Sequence, residues 1–243
     1  MNIFDIPAFT DNYIWAIQID DSITIVDPGE SIPVLKVIEE KKLNLQDILI
    51  THHHYDHTGG LLELKKYISG KVYGPKNENI DGIDIALVES DLIKTLGYEF
   101  RIIETPGHTL DHLAFYNMQA NVLFCGDTLF SAGCGRLFEG TYDQLHGSIQ
   151  KINQLPDETK IYCGHEYTLS NLEFVKSQIN SEFIKEKYKE TVKKRSMNKI
   201  TLPSTLSIER KINPFLLEIV PDDIQDLKAV DCFKKLRIRK DNF

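Results

Sequence analysis

Residues 51–60, THHHYDHTGG, contain the spaced pattern HxHxDH directly after a short apolar run. The preceding segment 47–50 ends in three apolar residues and predicts a buried strand, and residues 58–69 carry apolar side chains at helical spacing and predict a helix. The histidines and the aspartate therefore belong to the turn between a strand and a helix, which is a common position for functional residues.

The spacing inside this turn favours two neighbouring metal ions. Alternate side chains of an extended chain share a face, so His52 and His54 can point to one place. Asp56 and His57 follow as the chain bends into the helix, and they can face an adjacent point. A His-rich surface tract is the alternative, but such tracts rarely combine strict spacing with an embedded acid.

Three further ligand types follow predicted strands. His108 follows the strand at 99–103, Asp127 follows the run VLFCG, and His165 follows the run IYCG. Ligands on loops held by a rigid sheet are typical of layered folds that contain helices and strands.

Composition predicts a chain with a sizeable core and two regions. The 243 residues are 42% apolar, which suits one large domain or a main domain with an appendage. Strand-like and helical patterns alternate over 1–165, whereas 166–243 reads as mostly helical, with helices expected at 169–178, 182–194 and 222–235 and no clear strand. We expect a catalytic metal-binding domain followed by a helical domain with this boundary.

Charge, cysteine content and hydropathy predict a cytoplasmic protein. The net charge of −8 disfavours nucleic-acid binding, and no stretch approaches the roughly 18 apolar residues that span a bilayer. We expect neither nucleic acid nor membrane as a partner, and a monomer. The four scattered cysteines favour reduced, buried thiols.

The pattern HxHxDH followed by His108, Asp127 and His165 resembles the metallo-β-lactamase superfamily, and further motifs resemble its glyoxalase II (hydroxyacylglutathione hydrolase) family. These motifs are GDTLFSAGCGR at 126–136, GHEYTLSN at 164–171, LPSTL at 202–206, NPF at 213–215 and RIRKDNF at 237–243. The resemblance implies an α+β fold, an αββα sandwich, with a smaller helical C-terminal domain that helps bind glutathione.

The resemblance also implies a binuclear metal centre. The first metal would be held by His52, His54 and His108, the second by Asp56, His57 and His165, and Asp127 would bridge both. Imidazoles and carboxylates suit two divalent ions, most naturally zinc, and iron or manganese would also fit.

The implied reaction is hydrolysis of S-D-lactoylglutathione and similar 2-hydroxyacyl thioesters to D-lactate and glutathione, in methylglyoxal detoxification. A metal-bridging hydroxide would be the nucleophile. Asp56 would orient this hydroxide, and Asp127 is the second carboxylate expected to be essential for catalysis.

Four residues are implied to bind the substrate. Arg237 and Lys240 would hold the glycine carboxylate, Arg136 would contact the cysteinyl portion and Tyr167 would hydrogen-bond the peptide. Without the resemblance, the basic C-terminal segment would read as a solvated face. The chain has Phe138 where many relatives have tyrosine, so one hydroxyl contact is missing.

Three further histidines and one cysteine lie outside the expected ligand set, and two other functions are compatible with the motifs. His53, His112 and His146 are expected not to ligate metal, and Cys134 is expected to be a small packed residue rather than a nucleophile. An iron-dependent persulfide dioxygenase of the same fold is the nearest rival enzyme. A non-catalytic, metal-stabilised scaffold is the rival from outside enzymes, although every expected ligand is present.

Overall fold

The structure is a computed structural model that describes all 243 residues, and the chain divides into two compact units. Unit 1 comprises residues 1–104 and 111–126, and unit 2 comprises residues 105–110 and 127–243. The domain boundary expected at residue 165 stays a prediction.

Unit 1 contains a mixed sheet in which the strands follow chain order. Its first two pairings are antiparallel, and its last three are parallel. Most residues of the central parallel strands are buried, four of five in the strand Ser22–Val26 and four of six in Asn44–Leu49, as expected for strands covered on both faces. The strands are β1 (Asn2–Ala8), β2 (Asn12–Ile19), β3 (Ser22–Val26), β4 (Asn44–Leu49), β5 (Val72–Pro75) and β6 (Ile85–Leu87).

Four further strands of unit 1 form an antiparallel meander. They are β7 (Leu92–Thr95), β8 (Tyr98–Glu104), β9 (Leu113–Asn117) and β10 (Val122–Gly126). Buried hydroxyls connect the meander to the mixed sheet, because Thr95 Oγ1 lies 2.5 Å from Thr24 Oγ1 and donates to Asp47 Oδ2 at 2.6 Å. The mixed sheet and the meander of unit 1 therefore contact one another through buried polar side chains.

Helix α1 (Ser31–Lys41) connects β3 to the parallel strand β4 and buries Val34 against the mixed sheet. The helix expected at 58–69 is wrong in its extent. The chain instead forms two single-turn helices, α2 (Tyr55–Thr58) and α3 (Leu61–Leu64), separated by two glycines. A Cβ on Gly60 would lie 2.6 Å from the backbone of Glu30, so close packing and not helical propensity governs this segment.

Unit 2 is mostly helical. Its helices are α4 (Tyr142–Asn153), α5 (Thr168–Gln178), α6 (Glu182–Ser196), α7 (Leu206–Ile212) and α8 (Ala229–Asp241). Short strands accompany them: β11 (Leu129–Phe130), β12 (Gly133–Cys134), β13 (Lys160–Cys163) and β14 (Ser204–Thr205). No helix of the chain is both long and apolar enough to span a bilayer.

Two expectations for the C-terminal region are wrong. The helix expected at 222–235 starts later, at Ala229, and residues 222–224 form a 3₁₀ turn after Pro221. The region also contains a strand, because β14 pairs antiparallel with β13. Two residues are too few to produce a readable alternation, which is why the sequence pattern missed this strand.

Candidate metal centre and anion-binding cluster

Unit 1 brings the first two expected ligands together at the end of β4. The chain leaves Leu49 in an extended course and begins α2 at Tyr55. His52 is fully buried, and its Nε2 lies 3.1 Å from Nδ1 of His54. Two imidazole nitrogens bound to one tetrahedral zinc ion would lie roughly 3.4 Å apart, given bonds of about 2.0–2.1 Å. The pair therefore fits a shared cation.

The second pair in unit 1 is held by a carboxylate that sequence patterns did not reveal. His57 Nε2 lies 3.5 Å from Asp56 Oδ2, and its other nitrogen, Nδ1, lies 3.0 Å from Asp27 Oδ2. Asp27 also accepts hydrogen bonds from the backbone N–H and the hydroxyl of Thr51, both at 2.7 Å. A carboxylate behind an imidazole fixes which nitrogen is available to a metal.

Asp56 is oriented by a second residue that the sequence interpretation missed. The side chain of Asn12, which is buried at the start of β2, donates to Asp56 Oδ2 at 2.9 Å. Gly29 permits the adjacent loop to approach, because a Cβ there would lie 1.9 Å from the carbonyl oxygen of Asp56. No local sequence pattern predicts the role of Asn12 or Asp27, because each lies more than twenty residues from the side chain that it orients.

Unit 2 brings together the three remaining expected ligands. Asp127 Oδ2 lies 3.5 Å from His108 Nε2 and 3.2 Å from His165 Nε2. All three residues are buried. Both contacts are made by Oδ2, which places this carboxylate oxygen between two candidate imidazole ligands.

The loop after Asp127 fixes the orientation of His108. Its Nδ1 lies 2.8 Å from the carbonyl oxygen of Arg136, so Nδ1–H donates there and Nε2 is the nitrogen left available to a metal. Gly135 allows this approach, because a Cβ there would lie 2.0 Å from the carbonyl oxygen of Asp127. The exposed ring of Phe138 packs edge-on against His108, with centroids 5.2 Å apart.

Arg136, Arg237 and Lys240 form a cationic cluster in unit 2. Arg237 is 2% exposed, and it donates from Nη1 to the carbonyl oxygen of Cys134 at 2.9 Å and from Nη2 to Asp241 Oδ1 at 2.9 Å. Arg136 Nε lies 3.7 Å from the same Asp241 oxygen. Burial, together with the charges of Arg237 and Arg136, lowers the pKa of Lys240 to about 8.

Tyr167 lies beside a proposed metal ligand at the start of α5. Its ring stacks on His165, with centroids 4.7 Å apart and planes 6° from parallel. Lys240 also contacts α5, because its Nζ donates to the carbonyl oxygen of Ser170 at 3.1 Å. Helix α5 therefore begins beside His165 and contacts the cationic cluster.

The remaining histidines and Cys134 have other surroundings. His53 pairs with Asp111 at 3.0 Å, His112 stacks on His52, and His146 packs against Phe233. Burial raises the pKa of the Cys134 thiol to about 11. A thiol that stays protonated at neutral pH is a poor nucleophile.

Comparison with known proteins places these residues in a family. Residues 8–165 match the family model of the metallo-beta-lactamase superfamily, and residues 166–243 match the model of the hydroxyacylglutathione hydrolase C-terminus. The chain is 47% identical to the hydroxyacylglutathione hydrolase of Erwinia tasmaniensis and 46% identical to that of Pseudomonas syringae pv. syringae, with 100% of each chain covered in both cases.

Solved structures show the same fold at lower identity. A B3 metallo-beta-lactamase, BLEG-1, aligns with a TM-score of 0.69 at 23% identity, covering 88% of this chain and 99% of that one. ETHE1 from Myxococcus xanthus aligns with a TM-score of 0.66 at 20% identity over the whole of both chains. The expected fold class is confirmed, and the chain belongs to the hydroxyacylglutathione hydrolase family of the metallo-beta-lactamase superfamily.

Proposed function

We propose that this protein hydrolyses S-D-lactoylglutathione, and similar 2-hydroxyacyl glutathione thioesters, to D-lactate and glutathione, in methylglyoxal detoxification. The observation that carries the proposal is Asp127 Oδ2 lying 3.5 Å from Nε2 of His108 and 3.2 Å from Nε2 of His165, distances that are compatible with ligands sharing neighbouring metal ions. Full-length similarity to relatives named hydroxyacylglutathione hydrolase supports the choice of substrate.

Seven donors would hold two divalent metal ions, most naturally zinc, with iron or manganese also suited to the same ligands. Two bound cations supply, at neutral pH, a hydroxide nucleophile that water alone does not provide. The proposed assignments are His52, His54 and His108 for the first ion, Asp56, His57 and His165 for the second, and Asp127 for both.

The chain's own contribution near the reacting carbonyl is orientation. Asn12 holds one oxygen of Asp56 at 2.9 Å, so the other carboxylate oxygen has a fixed direction in which to orient the attacking oxygen. Asp27 Oδ2 contacts Nδ1 of His57 at 3.0 Å and so orients the imidazole.

Hydrolysis adds the water oxygen to the carbonyl carbon and breaks the C–S bond. The sulfur leaves as a thiolate, which needs little protonation, so no dedicated general acid is required.

The cationic cluster would hold the glycine carboxylate of glutathione. Lys240 and Arg237 are proposed to bind this group, while Arg136 contacts the cysteinyl portion and Tyr167 hydrogen-bonds the peptide. This proposal is supported by the approach of both arginines to one carboxylate of the chain, Asp241, at 3.7 Å for Arg136 and 2.9 Å for Arg237. Phe138 offers no hydroxyl, so affinity is expected to fall below that of relatives with tyrosine there.

We also propose that the protein is cytoplasmic and monomeric. All four cysteines are free and buried, as suits a reducing compartment. Light scattering after size-exclusion chromatography tests the oligomeric state, with one chain's mass of 27.9 kDa as the expected result.

One assay tests the reaction and separates it from the rival dioxygenase. Purified protein is given S-D-lactoylglutathione before and after chelation, and oxygen uptake is followed in parallel with glutathione persulfide. Metal-dependent loss of the thioester without oxygen consumption is the expected result. Oxygen consumption with the persulfide and no thioester hydrolysis would overturn the proposal.

A further inference from the structure

The cationic cluster already contains a carboxylate from the chain itself. Asp241, the last residue of α8, accepts a hydrogen bond from Nε of Arg237 at 3.1 Å, and its Oδ1 forms an ion pair with Nη2 of Arg237 at 2.9 Å. Arg136 Nε approaches the same oxygen at 3.7 Å. All three nitrogens approach one carboxylate oxygen, so Asp241 occupies a position in which a carboxylate ligand could pair with Arg237.

Asp241 is partly exposed to solvent, whereas its main partner is buried. The side chain of Asp241 is 38% exposed. Arg237 is buried, is tied to the carbonyl oxygen of Cys134 at 2.9 Å and lies over the ring of Phe215 at 5.2 Å. A second carboxylate arriving at Arg237 would therefore displace Asp241 and leave Arg237 in place.

The cluster keeps surplus positive charge when Asp241 is bound. The cluster contains three cationic side chains, Arg136, Arg237 and Lys240. The charges of Arg237 and Arg136 help lower the pKa of Lys240 to about 8. Asp241 does not neutralise this surplus. A further anion is therefore favoured at the cluster even while Asp241 competes for the guanidinium.

We propose that Asp241 is an internal competitor for the carboxylate site of Arg136, Arg237 and Lys240, and that it weakens binding of the glycine carboxylate of both substrate and product glutathione. This inference rests on the proposed function. Its consequence is that Asp241 sets affinity and eases product release, and is not part of the chemistry at the carbonyl.

The test replaces Asp241 by an uncharged side chain of the same shape, Asp241→Asn, in the metal-loaded protein at about pH 7. The KM for S-D-lactoylglutathione and the Ki for glutathione should both fall, by about two- to fivefold, which is the change expected from losing one partly exposed ion pair. The effect should vanish with glutathione esterified at its glycine carboxylate, because that ligand does not need the site.

A matched control removes an equal charge elsewhere on α8. Asp231 is exposed in the first turn of the helix, so Asp231→Asn should leave KM and Ki unchanged. A rise in either constant for Asp241→Asn, no change in them, or an equal fall with the ester would overturn the proposal, because Asp241 would then only position Arg237 or act through net charge.

The two proposals fail in different ways. Absence of thioester hydrolysis by the unmodified protein would overturn the proposed function alone, because calorimetric titration of both proteins with glutathione still measures the effect of Asp241. Tighter glutathione binding by Asp241→Asn is then the expected result. Equal or weaker binding overturns the competitor role.

Discussion

At the scale of single residues, each of three candidate metal ligands is oriented by a hydrogen bond to another residue. His57 is oriented by Asp27, His108 by the carbonyl oxygen of Arg136, and Asp56 by Asn12. Such contacts select the coordinating atom before any metal arrives. Replacing an orienting residue should therefore weaken metal binding without removing a ligand.

Asp127→Asn should lose metal and nearly all turnover. The amide keeps the shape of the side chain but replaces one carboxylate oxygen by a nitrogen that cannot ligate, between His108 and His165. Elemental analysis of the purified variant, alongside the thioester assay, measures both effects. Two metals retained per chain would contradict the bridging role.

Asp27→Asn should lower metal affinity about 10- to 100-fold, the usual effect of removing a carboxylate behind a ligating histidine. Competition with a chelator measures the change. Asp20→Asn is the matched control, because Asp20 is exposed and shares a positive φ with Asp27, of 51° against 53°. Equal metal affinity of the two variants would show that Asp27 does not support His57.

The pH dependence of substrate affinity should report Lys240. Burial lowers its pKa to about 8, so the amine is charged below that pH and loses its charge above it. Loss of a cation weakens attraction for a carboxylate, so KM should rise between about pH 7 and about pH 9. Lys240→Arg stays protonated, so its KM should stay flat over the same range. A rise of equal size in the variant would exclude Lys240 as the titrating group.

Sequence patterns predict the candidate ligands but not the residues that orient them. His52, His54 and His57 were predicted because their spacing within six residues is itself a signal, and Asp127 because it follows a readable strand. Asp27 reads as an ordinary turn residue, and Asn12 as a strand end. Their roles arise from tertiary contacts with residues 51–57, which no local pattern encodes.

At the scale of elements, α7 anchors the loop that follows Asp127. Glu209 of this helix is fully buried and accepts hydrogen bonds from the Ser131 hydroxyl at 2.9 Å and from the backbone N–H of Ala132 at 2.7 Å. Asn213 donates to the carbonyl oxygens of Phe130 and Gly133. The NPF segment therefore contributes to the fold of the loop.

Glu209→Ala should destabilise the protein by about 3 kcal/mol, because it leaves several buried donors without an acceptor. Chemical denaturation measures the free energy of unfolding. Glu186→Ala, at an exposed position of α6, is the control and should change stability by less than about 0.5 kcal/mol. Similar values for the two variants would show that the buried carboxylate contributes no net stability.

Element boundaries were predicted where periodicity is long and missed where packing intervenes. Strands β8 and β10 lie within a residue or two of their predicted positions because their apolar runs are bounded by polar residues. The helix expected at 58–69 failed because Gly59 and Gly60 are packed against backbone. Apolar spacing alone does not report that contact.

At the scale of the whole molecule, the family and fold class were predictable because ligand motifs recur along most of the chain. Matches over 8–165 and 166–243 confirm both. The acidic net charge of −8 makes a local cationic cluster the more necessary for an anionic substrate. The proposed role of Asp241 beside this cluster was not predictable, because the sequence shows only one acidic residue within a basic segment.

The most direct test of the account is an anomalous diffraction measurement on metal-loaded crystals, collected at the absorption edge of the bound element. The account predicts two peaks about 3.5–4 Å apart, with Asp127 in contact with both and three further donors at each. A single peak, or two peaks without Asp127 between them, would contradict it.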